Sequence, residues 1–221
     1  MTEVLPSLEI DARGKAAGTI IWLHGLGANG HDFEPIVPHL GLSGVRFVFP
    51  HAPVRPVTIN GGFVMPAWYD ILAMGTQGGE NGDDVRESAA QIEDLIAREA
   101  ARGVPSERIV LAGFSQGGAM ALFAGLRHAH PLRGIMVLSG YEVLSRARDE
   151  VGAANRETPL LFCHGTHDPM VDVARARAAF AAYREGRPDA QWHEFPMGHE
   201  VSPAEIAVIR DWLGARFAAA D

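Results

Sequence analysis

The sequence of 221 residues predicts an α/β fold in one domain, residues 1–221, with a mostly parallel central sheet and helices on both faces. The first observation is a series of short runs that are apolar on both faces and end abruptly in a loop, which is typical of parallel strands buried on two sides. The second is that helical patterns separate these runs, as in proteins that alternate strands and helices.

The predicted strands are short and rich in β-branched and aromatic residues. Those that read as buried on both faces are residues 19–23, 46–49, 109–112, 135–138 and 160–163. A further strand-like segment, residues 191–195, precedes the last helical pattern. Each of these runs is too short to be an ordinary helix, so the pattern favours strands.

The predicted helices carry apolar residues at intervals of three and four. They fall in residues 85–96, 119–126, 171–183 and 206–213. We expect Asp83 or Asp84 to cap the first helix, Gly103 to end it, and Asp172 to cap the helix over 171–183.

Composition and charge exclude several classes of function. The net charge of −8, from 27 acidic and 19 basic side chains, disfavours binding to nucleic acid or to an anionic membrane surface. The only cysteine, Cys163, excludes an intrachain disulfide and suits a reducing compartment. Neither a signal peptide nor an apolar run of about 20 residues is evident, so we expect a cytoplasmic protein without stable membrane insertion.

Residues 113–117 form the pattern Gly-Phe-Ser-Gln-Gly, which places Ser115 between a predicted strand and a predicted helix. A serine held in such a tight turn exposes its hydroxyl above the sheet, and the flanking glycines remove side chains that would collide. A glycine-rich turn that happens to contain serine is the alternative. The context of strand and helix favours Ser115 as a nucleophile.

A serine nucleophile needs a histidine base and a carboxylate that orients it. Asp168 follows the strand at 160–163 and is favoured over Asp172, whose predicted capping role is explanation enough. His199 lies in a loop between a strand-like segment and the last helix, and in this fold class the base follows the acid in the chain. The competing histidines, which we interpret as structural or surface residues, are His128, His130, His164, His167 and His193.

Two backbone N–H groups should stabilise the oxyanion of the intermediate, those of Gln116 and Leu26. Because the donors are backbone atoms, we expect the identity of the Gln116 and Leu26 side chains to say little about the site. His24 either pins the Leu26 loop by a hydrogen bond or is purely structural. No metal-ligand spacing or phosphate-binding loop occurs, so we predict neither a metal nor a cofactor.

Residues 61–82 mix apolar and aromatic side chains with glycines and show no clean period. A long apolar loop of this kind either caps the core or lines a substrate site, and both readings stay open. If it lines the site, the substrate-binding residues include Phe63, Met65, Trp68 and Met74.

Several stretches together resemble the phospholipase/carboxylesterase family of α/β-hydrolases over nearly the whole chain. They are residues 23–29, 50–53, 61–62, 68–70, 113–118 and 196–199. The resemblance implies an α/β-hydrolase fold, the same triad Ser115, Asp168 and His199, and the same oxyanion donors. It also implies hydrolysis of esters of short or medium acyl chains, and a possible homodimer.

The expected function is therefore a serine carboxylesterase acting on a small ester or acyl substrate through an acyl-enzyme. An acyl-protein thioesterase or lysophospholipase would use the same residues, because the triad is indifferent to the leaving group. A noncatalytic receptor on the same scaffold is a third reading, since fold does not fix function. Residues 139–159 leave room for about one helix, so we expect no large lid domain and an open site.

Overall fold

A computed structural model describes residues 4–73 and 79–218. Its strands are β1 (Ser7–Ile10), β2 (Gly18–Leu23), β3 (Val45–Pro50), β4 (Val54–Val57), β5 (Phe63–Pro66), β6 (Ile109–Phe114), β7 (Gly134–Leu138), β8 (Leu160–Gly165) and β9 (Ala190–Phe195). Its α-helices are α1 (Val37–Leu40), α2 (Gly82–Ala101), α3 (Gln116–Arg127), α4 (Val173–Tyr183) and α5 (Pro203–Phe217).

The main sheet has seven strands in the order β1-β3-β2-β6-β7-β8-β9. Each neighbouring pair is parallel except β1 with β3, which is antiparallel at the edge. β6 is therefore central, and the carboxyl ends of β6 and β8 lie at the same edge of the sheet with β7 between them. Ligands of open α/β sheets bind outside these carboxyl ends, so this edge is where a site is expected.

Helices cover both faces of the sheet, as the sequence predicts. On one face Ile92 of α2, Met120 of α3 and Ala179 of α4 belong to a single buried cluster. On the other face Leu40 of α1 and Ile209 of α5 belong to a second cluster. The central strands β2, β6 and β7 are buried along almost their whole length, which explains why they read as apolar on both faces.

The predicted strands are confirmed to within two residues at each end, and the edge elements are additions to the prediction. The sequence pattern predicts neither β1 nor the two-stranded sheet of β4 and β5. This antiparallel hairpin pairs Val57 with Phe63 and Val54 with Pro66. Its second strand, β5, lies at the start of the segment that showed no clean period, residues 61–82.

Asp172 caps α4, as predicted, by accepting a hydrogen bond of 2.8 Å from the Ala174 N–H. The predicted cap of α2 is wrong, because Asn81 caps this helix through the N–H groups of Asp83 and Asp84. The two aspartates lie in the first turn of α2, where their negative charge interacts favourably with the positive end of the helix dipole.

Residues 139–159, all of which the structure describes, contain only two short 3₁₀ turns, Ser145–Glu150 and Ala153–Asn155. No large lid domain is inserted there, in agreement with the sequence. Within the described residues, none of the helices is apolar over a length that could cross a bilayer.

Candidate active site

Ser115 is the single residue between the end of β6 and the start of α3. Its backbone has φ of 54° and ψ of −118°, a strained conformation that a non-glycine residue seldom adopts. A Cβ atom on Gly113 would collide with the Gly117 backbone, and one on Gly117 would collide with the backbone of Leu23. These two glycines therefore permit the tight turn from strand to helix that the sequence predicts.

The structure brings Ser115, His199 and Asp168 together in one hydrogen-bonded chain. The distance from His199 Nε2 to Ser115 Oγ is 2.9 Å, and that from His199 Nδ1 to Asp168 Oδ2 is 2.7 Å. Because a carboxylate only accepts, Nδ1 carries the ring proton and donates it to Asp168, which leaves Nε2 free to accept the serine hydroxyl proton. The Phe114 ring, 4.7 Å from the His199 ring centre, packs against the imidazole.

The Asp168 side chain is fully buried and held by its own loop. Its Oδ1 accepts the N–H groups of Met170 at 2.8 Å and Val171 at 2.9 Å. Burial alone would raise the pKa of Asp168, but the Val171 N–H, His199 and the Met170 N–H together lower this pKa below its ordinary value. Asp168 therefore stays an anion that accepts a hydrogen bond from His199 Nδ1.

His164 contacts the loop that carries Asp168. Its Nε2–H donates to the Val171 carbonyl at 2.9 Å and lies 3.6 Å from Asp168 Oδ2. Burial lowers the pKa of His164, so the ring is neutral and serves as a fixed hydrogen-bond donor. From the sequence this histidine reads as a structural or surface residue, and its position in the loop segment just before Asp168 is the signal that links it to the acid.

Gln116 is the first residue of α3, and its side chain is an unpredicted part of the site. Its Oε1 accepts the Trp68 N–H at 2.8 Å, and its Nε2 donates to the Tyr69 carbonyl at 2.8 Å. The expectation that this side chain carries little information is wrong, because it ties the loop at Trp68 to the serine turn.

Leu26 lies in the loop after β2 and lines the same cleft as Ser115. His24 pins this loop, since its Nδ1–H donates to the Gly25 carbonyl at 2.7 Å and its Nε2 accepts the Ala52 N–H at 3.0 Å. Burial lowers the pKa of His24, in keeping with a neutral ring that accepts at Nε2. The Gly27 N–H donates to the Pro66 carbonyl at 2.8 Å, which holds the loop from its other side.

A cleft of about 650 Å³ opens over Ser115 and His199. This volume falls within the range of small-molecule sites. Its lining is largely apolar, and the side chains beyond the hydrogen-bonded chain include Ile59, Met65, Ile71, Tyr141, Val171 and Arg175.

Of the four predicted substrate-binding residues, only Met65 lines this cleft. The prediction for Trp68 is wrong, because its side chain has no exposed surface and its indole N–H donates to the His24 carbonyl at 2.9 Å. Phe63 is 73% exposed on the β4–β5 hairpin and lies outside the cleft lining. Met74 lies outside the described residues.

The parallel sheet, the strained serine between strand and helix, and the histidine and acid at the same sheet edge are the architecture of the α/β-hydrolases. A sequence model of the phospholipase/carboxylesterase family matches residues 8–216. The chain belongs to this family and is an enzyme, a hydrolase of esters or thioesters. The resemblance seen in the sequence is thereby confirmed.

Among curated relatives, an acyl-protein thioesterase 1 of Neurospora crassa is 37% identical over 96% of this chain and 91% of its own length. An acyl-protein thioesterase 1 of Cryptococcus neoformans is 32% identical over 96% of this chain and 98% of its own length. Among solved structures, SOBER1 of Arabidopsis thaliana has a TM-score of 0.83 at 33% identity, covering 90% of this chain and 98% of its own. Acyl-protein thioesterase 2 of Zea mays has a TM-score of 0.84 at 26% identity, covering 96% of this chain and 99% of its own.

Proposed function

We propose that this enzyme hydrolyses S-acyl thioesters, including those of acylated proteins, and carboxylic esters, with Ser115 as nucleophile, His199 as general base and Asp168 as the residue that orients it. The observation that carries the proposal is the chain of hydrogen bonds from Ser115 Oγ through the His199 ring to the Asp168 carboxylate. The thioester part is supported by the curated relatives, which are named acyl-protein thioesterases. The relatives therefore support the alternative expectation from the sequence, an acyl-protein thioesterase, better than the first expectation, a carboxylesterase.

Acylation begins when Ser115 Oγ attacks the carbonyl carbon and His199 Nε2 takes the hydroxyl proton. The imidazolium that forms is stabilised by the buried Asp168 carboxylate, which accepts from Nδ1. When the tetrahedral intermediate collapses, the bond from carbon to sulfur or oxygen breaks, and Nε2 returns the proton to the leaving thiolate or alkoxide. The acyl group is then an ester of Ser115.

The negative charge on the carbonyl oxygen is stabilised by the backbone N–H groups of Gln116 and Leu26. Gln116 begins α3, so the dipole of this helix adds positive potential at the same point. Deacylation repeats the chemistry with water: His199 takes a proton from the water as it attacks the acyl carbon, and gives that proton to Ser115 Oγ as the acid leaves.

A direct test compares an S-acylated peptide with a p-nitrophenyl ester of the same acyl group. We expect the purified enzyme to hydrolyse both, and Ser115→Ala to lose about 10⁴-fold or more of kcat/KM on each. Ester hydrolysis with no thioester hydrolysis would contradict the thioesterase assignment, and an active Ser115→Ala variant would contradict the nucleophile.

Two aspartates four residues apart give a matched control for the acid. Asp168→Asn should lower kcat by about 10⁴-fold, because an amide in place of the carboxylate favours the wrong histidine tautomer. Asp172→Asn keeps a good N-cap for α4 and should retain kcat within about tenfold of the native enzyme. Equal losses in the two variants would show that the acid has been misassigned.

A further inference from the structure

Trp68 donates hydrogen bonds to both segments that carry the proposed oxyanion donors. Its backbone N–H donates to Gln116 Oε1 at 2.8 Å, and Gln116 supplies one of the two donors. Its indole N–H donates to the His24 carbonyl at 2.9 Å, two residues before Leu26, which supplies the other donor. One residue therefore joins the two halves of the oxyanion hole.

The two halves leave the central sheet at neighbouring strands. The ladder between β2 and β6 ends where Leu23 pairs with Gly113, and beyond this pair each strand continues into its own turn. Gln116, as the first residue of α3, has no intrahelical partner for its N–H. Within residues 4–73 and 79–218, no backbone carbonyl accepts the N–H of Leu26 or of Gln116. Both N–H groups are therefore available to an oxyanion, and contacts beyond the ladder set their separation.

Trp68 is held firmly enough to fix one half of the oxyanion hole relative to the other. Its side chain has no exposed surface, and its ring centre lies 5.4 Å from that of His24. Its carbonyl accepts a hydrogen bond from the hydroxyl of Ser88, which lies on α2. The next carbonyl along the chain, that of Tyr69, accepts a hydrogen bond of 2.8 Å from Gln116 Nε2. A shift of Trp68 would therefore break buried hydrogen bonds.

The separation of the two N–H groups matters more to the transition state than to the bound substrate. An oxyanion hole stabilises the tetrahedral intermediate when its donors lie about 2.7–3.1 Å from the negative oxygen. Trp68 is buried and does not line the cleft over Ser115, so its side chain does not bind the substrate. A change at Trp68 that moves either donor should therefore lower kcat and leave KM nearly unchanged.

We propose that Trp68 is a positioning residue that fixes the Leu26 and Gln116 N–H groups relative to each other in the oxyanion hole. The proposal rests on the proposed function, because it takes these two N–H groups as the oxyanion donors. The indole N–H acts on the Leu26 side, through the His24 carbonyl. The backbone N–H acts on the Gln116 side, through the amide of that residue.

Trp68→Phe tests the Leu26 side, because it removes the indole N–H and keeps an aromatic ring and the backbone N–H. The His24 carbonyl then loses its donor, and the Leu26 loop is free to shift. With p-nitrophenyl butyrate as substrate, kcat should fall by about 10- to 100-fold while KM stays within about threefold. If Trp68→Phe does not fold, 3-benzothienylalanine at this position should give the same loss, since it keeps the shape of tryptophan with sulfur in place of the N–H.

A propyl trifluoromethyl ketone measures the oxyanion hole directly. Ser115 Oγ bonds to its carbonyl carbon, the hydroxyl proton passes to His199 Nε2, and the carbonyl oxygen becomes an oxyanion held by the two N–H groups. The inhibition constant should therefore rise in Trp68→Phe by the same factor as kcat/KM falls. The corresponding secondary alcohol has no carbonyl for Ser115 to attack, so it should bind both enzymes equally. A general loss of structure would weaken binding of the alcohol as well.

Trp212→Phe is the matched control, because it makes the same replacement at a buried tryptophan on the opposite edge of the sheet from Ser115. The Trp212 ring on α5 packs against Gly134, the first residue of β7. Among the described residues, no group accepts a hydrogen bond from its indole N–H. In this variant kcat and the inhibition constant of the ketone should stay within about twofold of the native values.

A folded variant that lacks the Trp68 indole N–H and keeps the native kcat would overturn the proposal, as would a fall in kcat with an unchanged inhibition constant for the ketone. If the native enzyme binds the ketone no more tightly than the alcohol, the proposed mechanism fails and this proposal fails with it. Tight binding of the ketone by the native enzyme and by the Trp68 variant alike would overturn the positioning role alone and leave Ser115 as the nucleophile.

Discussion

Gln116 contributes to the candidate site through its side chain as well as its backbone. The buried amide accepts from the Trp68 N–H and donates to the Tyr69 carbonyl, each at 2.8 Å. Its position after Ser115 means that these two bonds fix the serine turn against the loop that packs beside it. A shift of this loop would be passed directly to the Ser115 turn.

Gln116→Leu should therefore destabilise the fold and slow the reaction. Two buried backbone groups lose their partners, which is expected to lower the free energy of unfolding by about 2–4 kcal/mol. Urea denaturation measures this loss, and steady-state kinetics should show a lower kcat with little change in KM. Gln191→Leu, in the strand β9, is the matched control and should stay near the native values; an equally stable Gln116→Leu would refute the role of the side chain.

At the residue scale, chain order and context single out Ser115, Asp168 and His199, which lie in one hydrogen-bonded chain, and their catalytic roles stay a prediction. The burial of individual side chains could not be predicted from chain order and context. Trp68 and Met65 occur three residues apart in the same irregular segment, yet one is fully buried and the other lines the cleft. An aromatic residue in an aperiodic segment gives no signal of which way it faces, so the Trp68 prediction failed.

At the scale of elements, the buried strands were predictable because both of their faces are apolar. The edge elements carry no such signal. β1 is half-buried along its whole length, and β4 contains Pro56, a residue that usually argues against a strand. The sequence pattern therefore predicts the central strands of this sheet better than its edge strand and the β4–β5 hairpin.

The start of α2 shows a second limit at this scale. Asn81, Asp83 and Asp84 are all acceptable caps by residue type. Tertiary contacts occupy Asp84, because its carboxylate accepts the Asp70 N–H at 2.9 Å and pairs with Arg55. Residue type alone does not show that Asn81, rather than one of the aspartates, caps the helix.

At the scale of the whole molecule, one buried carboxyl group should govern how stability varies with pH. Glu205 near the start of α5 is fully buried. Burial raises the pKa of Glu205 to about 8, and the Ser202 backbone N–H only partly offsets this shift. Between about pH 4.5 and pH 8 the folded protein holds a proton that the unfolded chain releases.

The native protein should consequently lose stability as the pH rises through this window, by up to about 1.4 kcal/mol per pH unit from this group. Glu205→Gln removes the titration, so its free energy of unfolding should vary less between pH 5 and pH 8, and its advantage should be largest at pH 8. Urea unfolding at several pH values measures both curves. Glu185→Gln at an exposed position should follow the native curve, and parallel curves for Glu205→Gln would be inconsistent with a protonated Glu205.

The central claim is that Ser115 becomes the covalent acyl carrier. Mass spectrometry of the native enzyme after reaction with a fluorophosphonate probe tests it most directly, because such probes bond to activated serine nucleophiles. We predict one label per chain, located on the peptide that contains Ser115, with activity lost in proportion to labelling. An active enzyme that stays unlabelled, or one labelled at another residue, would contradict the account.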